Sequence, residues 1–174
     1  MKNNNTLTQI SLFLLSLSLA FSAVAADGPT IYLVRHAEKV IEDSNDPALT
    51  EAGQDRAISF AAMLHGKNVS HIFSTPYTRT RDTAAPTAHE HGISIEEYDP
   101  DQGQKLVDKL KTLTGVILVT GHSNTIPELV NLLSGESLQD LDERVYDRVY
   151  IVTLDEYGHA QLDVTYSEPR TPLH

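Results

Sequence analysis

The chain predicts an α/β fold built on a mostly parallel sheet, and three observations carry that expectation. Short apolar runs alternate with stretches of helical periodicity. One run, Val116 to Thr120, is almost wholly apolar, as suits a central parallel strand covered on both faces. Two later runs, Val149 to Leu154 and Gln161 to Tyr166, flank the turn residues Glu156-Tyr157-Gly158-His159 and read as a hairpin closing one edge.

Thr30 to Val34 is the first strand. From Thr50, an N-cap by type, Ala57, Phe60, Ala61 and Leu64 recur at helical spacing. His71 to Ser74 is a brief strand, Thr78 to about His89 a helix, and Ile93 and Ile95 alternate with polar neighbours as a third strand. After Asp99-Pro100 a helix runs through Leu106, Leu110 and Leu113 and ends at Gly115. Beyond the central strand, Thr125 and Glu128 have capping-box spacing with Pro127 in the first turn. Leu129, Val130, Leu132 and Leu133 then continue that helix to Gly135.

Residues 1–26 read as a cleavable export signal and 27–174 as one domain. Lys2 precedes a stretch from Ile10 to Ala26 rich in Leu, Phe, Ala and Ser, and Ala23-Val24-Ala25 supplies the small residues of a cleavage site. Ser11, Ser16, Ser18 and Ser22 interrupt the stretch and no basic cluster follows, which argues against a retained membrane helix. The expected location is periplasmic or secreted. No cysteine is present, so no disulfide framework supports the fold, and about 150 residues must bury a core sufficient for one domain. The net charge of −11 becomes more negative by one without Lys2, and such a surface disfavours nucleic acid and anionic membranes as partners.

Arg35-His36 stands at the end of the first strand and Gly121-His122-Ser123 at the end of the central one, where open α/β sheets collect catalytic groups. Between them Ser74-Thr75-Pro76-Tyr77-Thr78-Arg79 is a turn leading into a helix and bringing a second arginine. A transferring phosphoryl group needs cationic or hydrogen-bonding groups around its oxygens and a nucleophile in line with the leaving group. Arginine forks suit the first need, and a neutral imidazole suits the second. Two nearby arginines would hold the His36 pKa down and keep that ring neutral, while His122 would donate to the phosphoryl oxygens. The eight histidines show no metal-ligand spacing as specific as H-E-x-x-H, so neither metal nor cofactor is expected.

These motifs resemble the histidine phosphatase superfamily, also called phosphoglycerate mutase-like, along essentially the whole chain after the signal. The family's R-H-G is matched by Arg35-His36-Ala37 and its D-x-P-L-T-x-x-G segment by Asp46-Pro47-Ala48-Leu49-Thr50-Glu51-Ala52-Gly53. Its S-S-P-x-x-R-x-x-x-T-A helix start is matched from Ser74 to Ala84, and its G-H-S by Gly121-His122-Ser123. The resemblance implies a three-layer α/β/α sandwich. It also implies that His36 is phosphorylated in a covalent intermediate, with Arg35, Arg79 and His122 holding the transferred group. Arg81 competes for the second arginine, but the Pro-x-x-Arg spacing favours Arg79.

A leaving alkoxide needs a proton. Ser123 and Asn124 stand where one branch of the family carries an acid, so the acid falls to the loop after the third strand. Glu96, Glu97, Asp99 and Asp101 are the candidates there. Asp99 is chosen because it lies at the strand's end before a helix-initiating proline. Ser123 and Asn45 are candidate substrate contacts, Glu38 and Lys39 a solvated charge pair with Lys39 at the pocket edge, and Tyr146, Tyr150 and Tyr157 sheet packing. The expected function is an exported, metal-independent phosphatase acting on small phosphate monoesters, such as sugar or lipopolysaccharide phosphates. Two alternatives stand beside it: a noncatalytic periplasmic module binding a phosphorylated ligand, and a phosphohistidine or phosphoanhydride phosphatase lacking a general acid.

Overall fold

In the computed structural model, which describes residues 28–171, a six-stranded sheet runs in the order β3-β2-β4-β1-β5-β6. The expected signal, residues 1–26, lies outside the described residues. The strands are β1 Thr30–Arg35, β2 Val69–Ser74, β3 Ile95–Glu97, β4 Val116–Gly121, β5 Arg148–Leu154 and β6 Ala160–Tyr166. The helices are α1 Glu51–Leu64, α2 Thr78–His91, α3 Gly103–Leu110 and α4 Thr125–Ser134. β1 to β4 are mutually parallel where they pair, and the β5-β6 hairpin adds antiparallel against β1, as the turn residues predicted.

Alternation along the central strands divides the core into two layers. Ile31 and Leu33 of β1 join Ile117 and Val119 of β4 against Leu106 and Leu110 of α3 and Ile126, Leu129 and Val130 of α4. Tyr32, Val34 and Leu118 face the other way, onto Phe60 and Leu64 of α1 and Ala84 of α2. Each fully buried aliphatic side chain contributes about 1.5–3 kcal/mol, and a strand buried on both faces is apolar at nearly every position. The result is the three-layer α/β/α sandwich.

The chain leaves β1 towards α1 on one face and leaves β4 towards α4 on the other, although β1 and β4 are adjacent and pair Arg35 with Gly121. Such a switch opens a crevice at the carboxyl ends of the two strands. His36 continues the ladder by donating its N–H to the Gly121 carbonyl at 2.8 Å.

Local chemistry explains most boundaries. Thr50 caps α1 by accepting from the Gly53 N–H at 3.0 Å. Gly53 itself is required, because a Cβ there would lie 2.2 Å from the Glu38 carbonyl oxygen. Gly135 ends α4 in the left-handed region at φ 76°. Two expectations are corrected. The helix after Pro100 divides into a 3-10 turn, Pro100–Gln102, and α3, which stops at Leu110 short of Leu113 and Gly115. Thr125 forms no capping box: it is the first residue of α4, and its hydroxyl accepts from the His122 N–H at 2.9 Å. No helix among the described residues is long and apolar enough to cross a membrane.

Candidate active site

At the β1/β4 crevice lies a cavity of about 350 Å³ whose lining includes His36, Arg79, His122, Ser123, Asp101 and Glu143. The two imidazole rings, far apart in sequence, stand 5.7 Å apart between centroids with their planes at 66°. One small tetrahedral anion can reach both.

The His36 ring is almost sealed, at 3% exposure, and its Nδ1 lies 2.8 Å from the Ala37 carbonyl oxygen. A carbonyl only accepts, so Nδ1 carries the proton and Nε2 keeps its lone pair, with no protein partner. Ala37 is fixed in turn by its N–H, which donates to Thr83 Oγ1 at 2.9 Å, and the Thr83 hydroxyl donates to the Arg79 carbonyl at 2.7 Å. The α2 threonine therefore ties the backbone next to His36 to that of Arg79. Burial, opposed by the Ala37 hydrogen bond and assisted by Arg35 and Arg79, pulls the His36 pKa down to about 3. The direction is the expected one; the leading cause is desolvation rather than the arginines.

His122 is held by three side chains of the segment that joins β2 to α2 and of the first turn of α2. Its Nε2 is 3.0 Å from Thr75 Oγ1, and its Nδ1 is 3.5 Å from an Arg79 terminal nitrogen. Arginine can only donate, which makes Nδ1 the acceptor and places the proton on Nε2. Tyr77 packs edge-on against the ring at 5.1 Å. Burial first, then Arg79 and Arg35, lower the His122 pKa to about 4. Gly121 precedes it because a Cβ there would lie 2.7 Å from the Tyr98 hydroxyl and 2.8 Å from Thr125 Oγ1.

Arg79 supplies the donors. Its Nε and Nη1 have no hydrogen-bond partner, its guanidinium lies 4.5 Å over the Tyr77 ring, and Asp46 stands 3.7 Å away. Asp46 also caps α2, accepting from the Thr78 N–H at 2.8 Å and the Thr78 hydroxyl at 2.7 Å, so one carboxylate positions both helix and arginine. Arg81 is elsewhere, paired with Glu97 at 2.7 Å.

Three sequence candidates are corrected. Arg35 does not line the cavity: at 1% exposure its Nη1 donates to the carbonyls of Asp142, Glu143 and Val145, and its Nη2 pairs with the Glu143 carboxylate. Asp99 is spent on the 3-10 turn, where Oδ1 accepts from the Asp101 N–H at 3.0 Å and Oδ2 from Gln102. Asp101, the alternative two residues on, lines the cavity instead. Asn45 is exposed and outside the lining. Glu96 and Glu97 are paired with Lys109 and Arg81.

Glu38 is not a solvated partner of Lys39; it binds the buried Arg56 at 2.7 Å, and Lys39 edges the cavity as expected. Of Tyr146, Tyr150 and Tyr157 only Tyr150 is buried in the sheet. Tyr146 lies in a loop under the Arg35 guanidinium at 4.4 Å, and Tyr157 is exposed in the hairpin turn. Sequence reading missed Glu143, which accepts from Ser123 Oγ at 2.5 Å as well as from Arg35. Burial pushes its pKa up, but Ser123, Arg35 and Lys39 together bring it below the usual value. Nothing in the aperiodic acidic run around Glu143 marks it. Among the described residues no group of three or more His, Cys, Asp or Glu is placed to hold a metal ion.

Comparison with known proteins bears on the family and the fold. The sequence profile of the histidine phosphatase superfamily (branch 1) matches residues 31–100. The probable phosphoglycerate mutase GpmB of Escherichia coli O1:K1 is 32% identical over 127 residues, 66% of this chain and 59% of that protein. The Escherichia fergusonii counterpart is 31% identical over 128 residues, 67% and 59%.

The chain belongs to the histidine phosphatase superfamily. It spans about three-fifths of the length of the curated relatives it matches. Solved structures share the fold. The protein histidine phosphatase SixA complexed with tungstate superposes with a TM-score of 0.65 at 21% identity, covering 79% of this chain and 96% of that one. A phosphoserine phosphatase from Entamoeba histolytica in complex with phosphoserine gives 0.60 at 15% identity, covering 83% and 100%.

Proposed function

We propose that this histidine phosphatase superfamily member is an exported, metal-independent phosphatase that hydrolyses small phosphate monoesters through a phosphohistidine on His36. The observation that carries the reading is the His36 ring itself, with Nδ1 pinned by the Ala37 carbonyl, Nε2 unpartnered, and a guanidinium with two unspent donors in the same cavity. The covalent scheme extends the family membership, and the small phosphorylated substrate is in keeping with relatives solved with phosphoserine. Export rests on the residues of 1–26 alone.

In the first step Nε2 of His36 attacks phosphorus, the bond to the ester oxygen breaks, and that oxygen takes a proton as the alcohol leaves. Arg79 and His122 bind the equatorial oxygens as their charge grows. An anion in the cavity opposes the influences that keep His122 neutral, so the ring gains a proton and becomes a donor on binding. Asp101, the loop carboxyl that lines the cavity, delivers the proton to the leaving oxygen. In the second step water attacks phosphorus, the P–N bond breaks, Asp101 takes the water's proton, and phosphate leaves. Hydrolysis is preferred to transfer back onto the product because Asp101 and Glu143 at the rim are exposed, which admits water.

Kinetics of paired variants test the scheme. His36→Ala is expected to lose at least about 1000-fold of its hydrolysis of para-nitrophenyl phosphate while still binding orthovanadate; undiminished hydrolysis removes the covalent step. Asp101→Asn is expected to slow alkyl phosphates by about 100-fold or more and the aryl phosphate far less. Equal loss on both takes Asp101 out of the acid role.

A further inference from the structure

The carbonyl that holds the His36 ring belongs to the peptide between Ala37 and Glu38, and both ends of that peptide are anchored. On one side the Ala37 N–H donates to Thr83 Oγ1. On the other the Glu38 carbonyl accepts from the Thr50 N–H at 2.9 Å. The Glu38 carboxylate makes a third anchor: Oε1 accepts from Arg56 Nε at 3.0 Å and from Nη2 at 2.7 Å, and Oε2 from Nε at 2.9 Å. Arg56 has little freedom of its own. It is 3% exposed, and its Nη1 donates to Ser167 Oγ at 2.9 Å and to the Pro169 carbonyl at 2.8 Å. The segment after β6 thus holds the guanidinium, and the guanidinium holds Glu38.

A peptide unit is planar, so three of its atoms fix where its oxygen points. The Thr83 bond places Cα of Ala37. At Glu38 the carbonyl carbon is placed by Thr50 and Cβ by Arg56, and a tetrahedral Cα with those two substituents set leaves one direction for its nitrogen. Cα of Ala37 with N and Cα of Glu38 then define the plane, and the Ala37 oxygen lies in it, 2.8 Å from His36 Nδ1. Without the side-chain anchor the plane can turn between its ends, the acceptor leaves Nδ1–H, and the neutral ring loses its reason to keep the lone pair on Nε2. A buried ion pair adds little stability over two apolar side chains of the same size, but it supplies a direction that they do not.

We propose that Glu38 and Arg56 are positioning residues for His36: through the peptide between Ala37 and Glu38 they hold the Nδ1–H tautomer and keep the Nε2 lone pair available in the cavity. The role assigned to that lone pair rests on the phosphatase reading above.

Variants of the full protein test it. Glu38→Met/Arg56→Met replaces the pair by apolar side chains and is expected to lower kcat for para-nitrophenyl phosphate about 30-fold with KM changed less than threefold. NMR of the imidazole nitrogens at about pH 7.5, with the His36 signals assigned by their loss in His36→Ala, is expected to show the parent ring wholly Nδ1–H and the double-variant ring as a mixture with the Nε2–H form. Glu38→Gln keeps one acceptor for Arg56 and is expected to fall between, with kcat about threefold lower and a minor Nε2–H population. Parent-like kcat and ring signals in the folded double variant overturn the assignment. A lower kcat with the ring still wholly Nδ1–H overturns it too, because the pair would then act on the fold alone. If the double variant does not fold, Glu38→Gln decides by the same spectrum, and a ring identical to the parent's overturns the proposal. A parent that hydrolyses no ester sinks the phosphatase reading, whereas the spectra need no turnover and still decide whether the pair holds the ring.

Discussion

The end of β1 and the start of α2 each carry an arginine towards the same crevice, and the two regions spend their guanidinium groups differently. Arg35 is wrapped by the loop before β5, which turns three carbonyls and the Glu143 carboxylate onto it and lays Tyr146 against its face. Arg79 meets a carboxylate only at 3.7 Å and retains two unpartnered nitrogens. An arginine has five N–H donors in a fixed fork, so donors used to close a loop are withdrawn from a ligand. The same residue type at two strand-to-helix junctions therefore closes a loop in one place, with only its Nε left over, and in the other keeps two donors unspent, which our proposal gives to the anion.

Substitution of each arginine breaks the comparison in opposite directions. Arg79→Ala is expected to lower kcat/KM for para-nitrophenyl phosphate by about 100- to 1000-fold, the usual loss for one oxyanion donor, with a thermal midpoint within about 3 °C of the parent. Arg35→Ala strands three loop carbonyls and one carboxylate, which costs roughly 2–4 kcal/mol and about 10 °C of thermal midpoint. Calorimetry and steady-state kinetics on both variants decide the matter. An Arg35→Ala protein that melts like its parent but loses turnover would mean that Arg35 turns from the loop to the substrate.

The difference between the two arginines was invisible in the sequence, and the reason is physical. Strand periodicity, the Thr50 cap, Gly135 and the hairpin turn depend on neighbours within a few residues, and all of these were legible. The convergence of His36 with His122 was legible too, because both follow apolar strands that end in the same layer. What captures Arg35 comes from 107 to 110 residues away, in a loop without periodicity, and no local pattern announces it. Asp99 and Asp101 show the same limit at short range. Both sit in one turn, but a carboxylate at the N-cap is consumed by the turn's own N–H groups, and only the next acidic residue reaches the cavity.

Titration of the two imidazoles sharpens the comparison. Among charges, Arg35 is the leading influence on His36 and Arg79 on His122. Both native values, about 3 and about 4, lie below the ordinary histidine value of roughly 6.5, so below that pH the unfolded chain binds protons the native chain does not. Stability is therefore full above about pH 6.5 and falls as pH drops towards 4, with each ring contributing about 1.4 kcal/mol per pH unit across that window. Urea unfolding between pH 7 and 4.5 measures the slope, and His122→Asn is expected to remove the share of one ring. An unchanged slope in that variant would show that His122 titrates normally in the folded protein.

The smallest expected effect concerns how the α2 side holds His122. Thr75 is fully buried, and it accepts from His122 Nε2–H while its own hydroxyl lies 2.8 Å from Thr80 Oγ1. Thr80 Oγ1 lies 2.8 Å from the Tyr77 carbonyl, so the chain of donors ends on backbone and fixes the direction of every proton in it. Thr75→Val keeps the shape and removes the acceptor, which frees His122 to adopt the other tautomer and leaves a partly buried N–H unpaired. The expected result is about a tenfold lower kcat with KM changed less than threefold, because the ring is misdirected in the transition state more than in the ground state. Thr75→Ser restores the acceptor and is expected to return kcat to within about twofold. A Thr75→Val enzyme with full kcat would mean that Arg79 alone orients the ring, and the free donors of that arginine would then have to serve His122 as well as the anion.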